Sequence, residues 1–303
     1  MTEANTPESH TRSDIATAAW QRCSMRFALS EPFLWLEAQR RLHERLDVLT
    51  VAPQRILDAA PRAGTGTLAL AKRYPKALLA AHCSSRYAQL MLKGKYTGNF
   101  FQRLYRGAMG KPESRIAWLP VVPNAQYDLI VCNLALTWAA DPAQQLRFWA
   151  QLLAPGGVLL FSALGPDTAR SIRLTAVQAG WTTPIAPDFV DMHDYGDMMV
   201  QAGLSTPVLD VERMQLTYPT ADRLRADTAG VMGNLHPQRL AGLAGKARFK
   251  ALAAALNTQQ PVPLGVELVF GHAWKPLHEK PAKRETSTVS LDRLRATLPS
   301  QKQ

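Results

Sequence analysis

Residues 55–70 read RILDAAPRAGTGTLAL. A short apolar strand ends in Asp58, a loop follows, and Gly64 and Gly66 lead into the helical stretch TLALAKRYP. A strand, an acid at its end, a glycine-bearing loop and a helix in direct succession make the entry unit of a nucleotide-binding α/β sheet. Such a loop stays rich in glycine where its backbone has to approach a ligand closely. The rest of the chain then has to supply further strands that pair in parallel, and helices to cover them.

Short apolar segments do alternate with helical ones. Residues 55–59, 77–81 (ALLAA), 115–119, 127–133 (YDLIVCN) and 158–162 (VLLFS) read as five strands, with helices at 67–73, 85–92 and 143–153 between them. Nearly continuous apolar strands in this alternation imply a parallel sheet covered on both faces. The APGG before residue 158 reads as a turn leaving a helix. Beyond residue 188 the pattern changes: a helix ending at Gly203, a long strand over 207–218, an alanine-rich helical stretch over 221–256 broken at Gly230, Gly233 and Pro237, and a last strand over 265–274. The expected fold is a Rossmann-like, seven-stranded, mainly parallel sheet with helices on both faces. Its last strand is antiparallel, and a helical lid is inserted at about 220–256. Upstream, 14–50 reads as helical, with Leu34, Leu42, Leu46 and Leu49 near a helical period. Residues 1–13 and 280–303 offer little to bury and are expected to be disordered tails around a single domain of 14–279.

At 303 residues and 47% hydrophobic, the chain can bury one large core with a lid. No apolar run approaches the roughly 20 residues of a membrane span. The polar N-terminus lacks the apolar stretch of a signal peptide, so a cytoplasmic location is expected. Cys23, Cys83 and Cys132 are too dispersed for a disulfide framework or a zinc site and read as small buried hydrophobes. The net charge of +11 is uneven: Arg86 to Arg115 carries seven basic residues against one acid. Such a stretch attracts an anionic partner. No helix-turn-helix, zinc finger or aromatic RNP motif supports nucleic acid. An acidic carrier protein, an anionic metabolite and a plain solvated face all remain compatible with it.

The order of pieces resembles a class I S-adenosylmethionine-dependent methyltransferase, with YDLIVCNLALTW as fourth strand and LLAPGGVLLFS leading into the fifth. Four longer runs sharpen the resemblance: FLWLEAQRRLHERLD, NLALTWAADPAQQLRFWAQLLAPGGVLLFSALGPDTARSIR, FVDMHDYGDMMVQAGL and LVFGHAW. These are similar to the malonyl-acyl-carrier-protein O-methyltransferases of biotin synthesis, over about residues 20–276. The resemblance implies S-adenosylmethionine as cofactor and methylation of a malonyl carboxylate. It also implies an acidic acyl-carrier protein as partner, drawn to the basic stretch Arg86–Arg115. Cofactor contacts fall at Asp58, Ala60, Arg62, Gly64, His82, Asn133 and Leu134. Trp138 after the fourth strand and Tyr195 on the late helix read as candidates for the substrate cleft.

This chain departs from the family's pattern at the cofactor positions. The expected D-x-G-x-G-x-G has Ala60 and Arg62 at its first two glycine positions, and the acid that ends the second strand is replaced by His82. The stretch IAWLPVVPNAQYD holds no acid before Asp128. A carboxylate there offers two acceptors to paired ribose hydroxyls, whereas neutral histidine offers one. Losing charge-assisted hydrogen bonds costs about 1.5–3 kcal/mol. Arg62 brings positive charge toward a cationic ligand. Three outcomes stay open: S-adenosylmethionine binds, Arg62 and His82 form an anion site at a helix start, or no small ligand binds. Correspondingly, the protein is a carboxyl O-methyltransferase or a non-catalytic binding or assembly member of the same fold. The lack of an acid–base pair excludes neither, because a carboxylate acceptor is already ionised at neutral pH.

Overall fold

The computed structural model describes residues 31–97, 115–234 and 244–277. Residues 1–30, 98–114, 235–243 and 278–303, which include the two expected tails, Cys23 and Pro237, lie outside the described residues. Chain order runs from helix α1 (Phe33–Glu44) to β1 (Arg55–Asp58), α2 (Thr65–Arg73), β2 (Leu78–His82), α3 (Arg86–Thr97), β3 (Ile116–Leu119) and β4 (Tyr127–Cys132). Then follow a 3-10 turn (Ala135–Trp138), α4 (Pro142–Leu152), β5 (Leu153–Leu164), α5 (Arg170–Gln178), α6 (Met192–Gln201) and β6 (Ser205–Tyr218). The last elements are α7 (Ala221–Thr228), α8 (Ala244–Leu256) and β7 (Val262–Trp274).

The strands form one seven-stranded sheet in the order β3-β2-β1-β4-β5-β7-β6. The first five pair in parallel, with Ile56 opposite Leu79 on one side and Leu57 opposite Ile130 on the other. Strand β7 runs antiparallel to both β5 and β6, pairing Ser162 with Phe270 and Val211 with Val269. Ile56, Leu57, Leu129, Ile130, Leu159 and Leu160 are fully buried, as expected for central strands covered on both faces. The connection from β3 to β4 carries the chain back across β2 and β1, so the sheet reverses direction between β1 and β4. In open α/β sheets, ligands bind outside the carboxyl ends of the strands at such a switch point.

Local chemistry explains the helix starts that frame this point. Gly64, at φ 88°, caps α2, and a Cβ there would come within 2.5 Å of the Tyr96 ring and 2.9 Å of Trp118. Asp141 caps α4 by accepting from the Gln144 amide at 2.9 Å, with Pro142 in the first turn. Helix α1 buries Leu34, Trp35, Ala38 and Leu42. It is tied to the antiparallel edge by Arg45, whose guanidinium lies 3.5 Å over the Phe270 ring and pairs with Glu212 at 2.7 Å.

One local expectation is corrected. APGG is not a turn ahead of the fifth strand: β5 already begins at Leu153, opposite Tyr127. The glycines absorb an irregularity inside the strand. Gly156 takes φ 78° and donates to the Lys275 carbonyl at 2.9 Å. A Cβ on Gly157 would press on the Ala154 and Tyr127 carbonyls at 2.9 Å. The 221–256 stretch divides into α7 and α8.

Candidate functional site

The loop after β1 is organised by Asp58. One carboxylate oxygen accepts from the Ala60 amide at 3.1 Å and the other from the Thr67 hydroxyl at 2.6 Å. Burial pushes this carboxyl up to about 6, against the pull of those two donors. Ala60 is itself buried, in the core beneath the loop. Beyond it the chain turns at Arg62, which adopts φ 41°. This is the left-handed conformation that glycine takes at least cost. The backbone has therefore kept a glycine-type turn while carrying an arginine side chain.

That side chain is only 4% exposed. It crosses the switch-point crevice, stacks its guanidinium 4.0 Å over the Trp35 ring of α1, and donates to the Gly230 carbonyl just after α7. The other wall of the crevice is fixed by Asn133 at the end of β4. Its amide nitrogen donates to the Trp35 carbonyl at 3.1 Å, and its oxygen accepts from the Ser162 hydroxyl at 2.7 Å. Ser162 in turn accepts from the Leu134 amide at 3.0 Å, which steadies Leu134 at φ 52°. Asn133 and Leu134 are thus buried supports of the crevice wall.

Beside this filled crevice lies an open cleft of about 640 Å³ that runs from the carboxyl ends of β1 and β2 past the 3-10 turn and along α4. Its lining includes Ala59, His82, Val122, Ala135, Trp138 and Phe148. Burial lowers the His82 pKa, with a hydrogen bond at the Ala59 backbone acting the other way. The imidazole is therefore neutral at pH 7, with one donor and one acceptor. Trp138 both lines this cleft and anchors the inserted segment: a Cβ on Gly233 would sit 2.1 Å from its ring.

The expected site residues thus split into groups. Asp58, Ala60, Arg62, Gly64, Asn133 and Leu134 gather around the switch point, whereas His82 and Trp138 line the open cleft. Tyr195 does neither. Its ring is 1% exposed and packs on Phe161 at 5.2 Å between centroids, because the apolar face of α6, Tyr195 and Met199, is what seals that helix to the sheet. It borders a crevice of about 20 Å³ under the 3-10 turn.

Four further residues shape the site without having stood out in the sequence. Glu31 accepts from the Thr65 hydroxyl at 2.5 Å, and Gln39 donates to that hydroxyl at 3.2 Å. Gly66 leaves room for Gln39, which a Cβ would meet at 2.6 Å. Trp35 and Gly230 receive Arg62. Trp35 and Gln39, set among the leucines of one amphipathic run, gave no separate signal, and Gly230 read as a helix breaker.

Known proteins resemble the chain at two levels. The methyltransferase-domain family profile matches residues 34–206. Malonyl-(acyl-carrier protein) O-methyltransferase of Laribacter hongkongensis is 34% identical over 286 residues, covering 91% of this chain and 92% of that one. The protein of the same name from Gallionella capsiferriformans is 35% identical, covering 79% and 83%. The solved structure of a Bacillus halodurans protein described as a candidate methyltransferase superimposes with a TM-score of 0.50 at 13% identity, covering 78% of this chain and 98% of that one. At that identity the likeness speaks for the fold alone.

Proposed function

Because the chain belongs to the malonyl-(acyl-carrier protein) O-methyltransferase family, we propose that it transfers a methyl group from S-adenosylmethionine to the free carboxylate of a malonyl group held on an acyl-carrier protein. The observation that carries the reading is the 640 Å³ cleft that starts at the carboxyl ends of β1 and β2, with Asp58 holding the loop beside it. The residues fit the nucleoside part of the cofactor. Small Ala59 and Ala135 leave room in the cleft, and neutral His82, its N–H engaged at the Ala59 backbone, offers a ribose one acceptor. When bound, the cofactor supplies an electrophilic methyl on a sulfonium. The protein's part is alignment and exclusion of water. The segment after α7 docks through Gly233 on Trp138, itself a wall of the cleft, and is read as its lid. No side chain has to take a proton from an ionised carboxylate.

The acidic carrier is proposed to meet the basic stretch Arg86–Arg115. Arg86, Lys93, Lys95 and Arg115 are exposed, while Arg103, Arg106 and Lys111 lie outside the described residues. Attraction of this kind is screened over about 8 Å at physiological salt. Charge reversal at Arg86 and Lys93 is therefore expected to weaken carrier binding at low salt and to matter little at high salt.

The test is direct: incubation with S-adenosylmethionine and malonyl-loaded carrier, followed by the intact mass of the carrier. A carrier heavier by one methylene supports the reading. An unchanged carrier, with an active relative as control, selects the second reading, a non-catalytic partner protein of the same fold. One observation favours that second reading: the switch-point crevice already holds the Arg62 side chain.

A further inference from the structure

The switch-point crevice contains a cation of the protein's own. The Arg62 guanidinium is buried and stacked on Trp35 at 4.0 Å, and it donates to the Gly230 carbonyl. Arg62 leaves the loop after β1, and these partners come from two other places, helix α1 and the segment following α7. Aromatic faces and carbonyl oxygens are what a desolvated cation requires. They are also what the sulfonium or ammonium of a donor would use. The turn at φ 41° commits the side chain to this direction, because it leaves the loop toward α1.

We propose that Arg62 is a built-in occupant of the switch-point crevice: it takes the place of a ligand's cationic end and clasps α1 to the inserted segment, while the neighbouring cleft at His82 stays open to a nucleoside. The proposal rests on reading that cleft as the nucleoside site. It deepens the reading by assigning a selectivity and a control. A neutral nucleoside competes with nothing. A ligand with a nucleoside at His82 and a cationic end over β1 and β4 has to displace a guanidinium held by the Trp35 ring and the Gly230 carbonyl. A cation is disfavoured further than its neutral counterpart, because unlike water, a buried site does not screen two like charges. The clasp ties α1 to the Gly230 segment through a single side chain. Entry of a full donor requires that closure to open, and the side chain thereby sets a threshold for occupancy.

Calorimetric titration of the full chain with adenosine, S-adenosylhomocysteine and S-adenosylmethionine tests this, using the wild type, Arg62→Met and Arg62→Gly. Methionine keeps bulk and removes charge. Glycine removes both and suits the positive φ. The wild type is expected to bind adenosine within about fivefold of S-adenosylhomocysteine, and S-adenosylmethionine at least tenfold more weakly than its neutral counterpart, a gap of about 1.4 kcal/mol. Arg62→Met is expected to close that gap. Arg62→Gly is expected to raise affinity for both long ligands tenfold or more over adenosine. A ligand-free measurement stands beside it: amide exchange in residues 229–234 speeds up in both variants when the clasp is lost. Wild-type protein that binds S-adenosylmethionine as tightly as S-adenosylhomocysteine, and both a hundredfold better than adenosine, overturns the proposal and leaves the nucleoside reading intact. Failure of all three ligands on all three proteins overturns both. Unchanged exchange at 229–234 removes the clasp.

Discussion

The two sides of the space above β1 are built on opposite principles. On the β4 side the side chains hold one another: Arg62 stacks on Trp35 and donates to Gly230, and Asn133 bridges Trp35 and Ser162. On the other side an open cleft of about 640 Å³ runs from Ala59 and His82 past Trp138 to the polar residues Asp141, Gln144 and Arg147 of the α4 region. The filled side is organised for stability and the open side for access. A crevice of this kind needs both, but here the boundary between them has moved. A side chain holds ground that glycine would leave to a ligand. Mutations on the two sides should therefore fail in different measurements.

The largest contrast is expected between Trp35→Ala and His82→Ala. Trp35 is fully buried, and its loss removes an aromatic anchor and exposes the Arg62 charge. A cost of about 3–5 kcal/mol in urea unfolding is expected. His82 is half-buried at the rim and should cost about 0.5 kcal/mol. Equal losses at the two positions would erase the distinction. Next is Gly233→Ala, which drives a methyl into the Trp138 ring. The expected cost is about 3 kcal/mol, at the upper end of overpacking effects. The loss should localise to the inserted segment, read by faster amide exchange there than in β1 or β4.

The buried acid on the filled side gives a pH signature. The Asp58 carboxyl is raised to about 6 by burial, so the folded state holds its proton more tightly than the unfolded chain does. Stability contributed by this group is full below its ordinary value near 3.8 and is lost as pH rises through 6. Against Asp58→Asn, the wild type should lose on the order of 2 kcal/mol between pH 4 and pH 7. His43, lowered to about 4 by burial and by Arg73, acts in the opposite sense. Its contribution cancels when the two proteins are compared at each pH. A flat difference from pH 4 to 7 would mean that Asp58 is better solvated than its burial implies.

Most of the architecture was legible in the sequence because it follows from period and punctuation. Apolar runs such as YDLIVCN can only be interior strands, and D-P before a helical run marks its start. The APGG stretch misled because glycine signals irregular backbone without saying whether a turn or a bulge absorbs it. Here the pairing of Leu153 with Tyr127 decided for the strand. The departures at Ala60, Arg62 and His82 were equally visible as letters. What the letters did not hold was the destination of Arg62, which depends on Trp35 and Gly230, about 27 and 168 positions away along the chain. Tyr195 failed for a related reason. A tyrosine on an amphipathic helix can face a cleft or seal the helix, and only Phe161 across the gap fixes which.

The finest test sharpens the open side alone. His82→Asp places two acceptors where neutral imidazole offers one. Burial that lowers the imidazole here also raises a carboxylate, so the measurement belongs at pH 8, where the acid is ionised. A ribose diol gains one charge-assisted hydrogen bond, of which about 1.4 kcal/mol should survive as net affinity. Adenosine should therefore bind about tenfold more tightly to His82→Asp than to the wild type. The gain should be of the same size for S-adenosylhomocysteine, since both present the same diol, and it should add to the gain from Arg62→Gly, because the two positions serve different ends of the ligand. Calorimetry on the two single variants and the double variant reads this directly. Additivity keeps the two sides independent. A double variant that gains much more than the sum of the singles would mean that Arg62 also controls the open cleft, and the boundary drawn between the two regions would have to be moved to include His82.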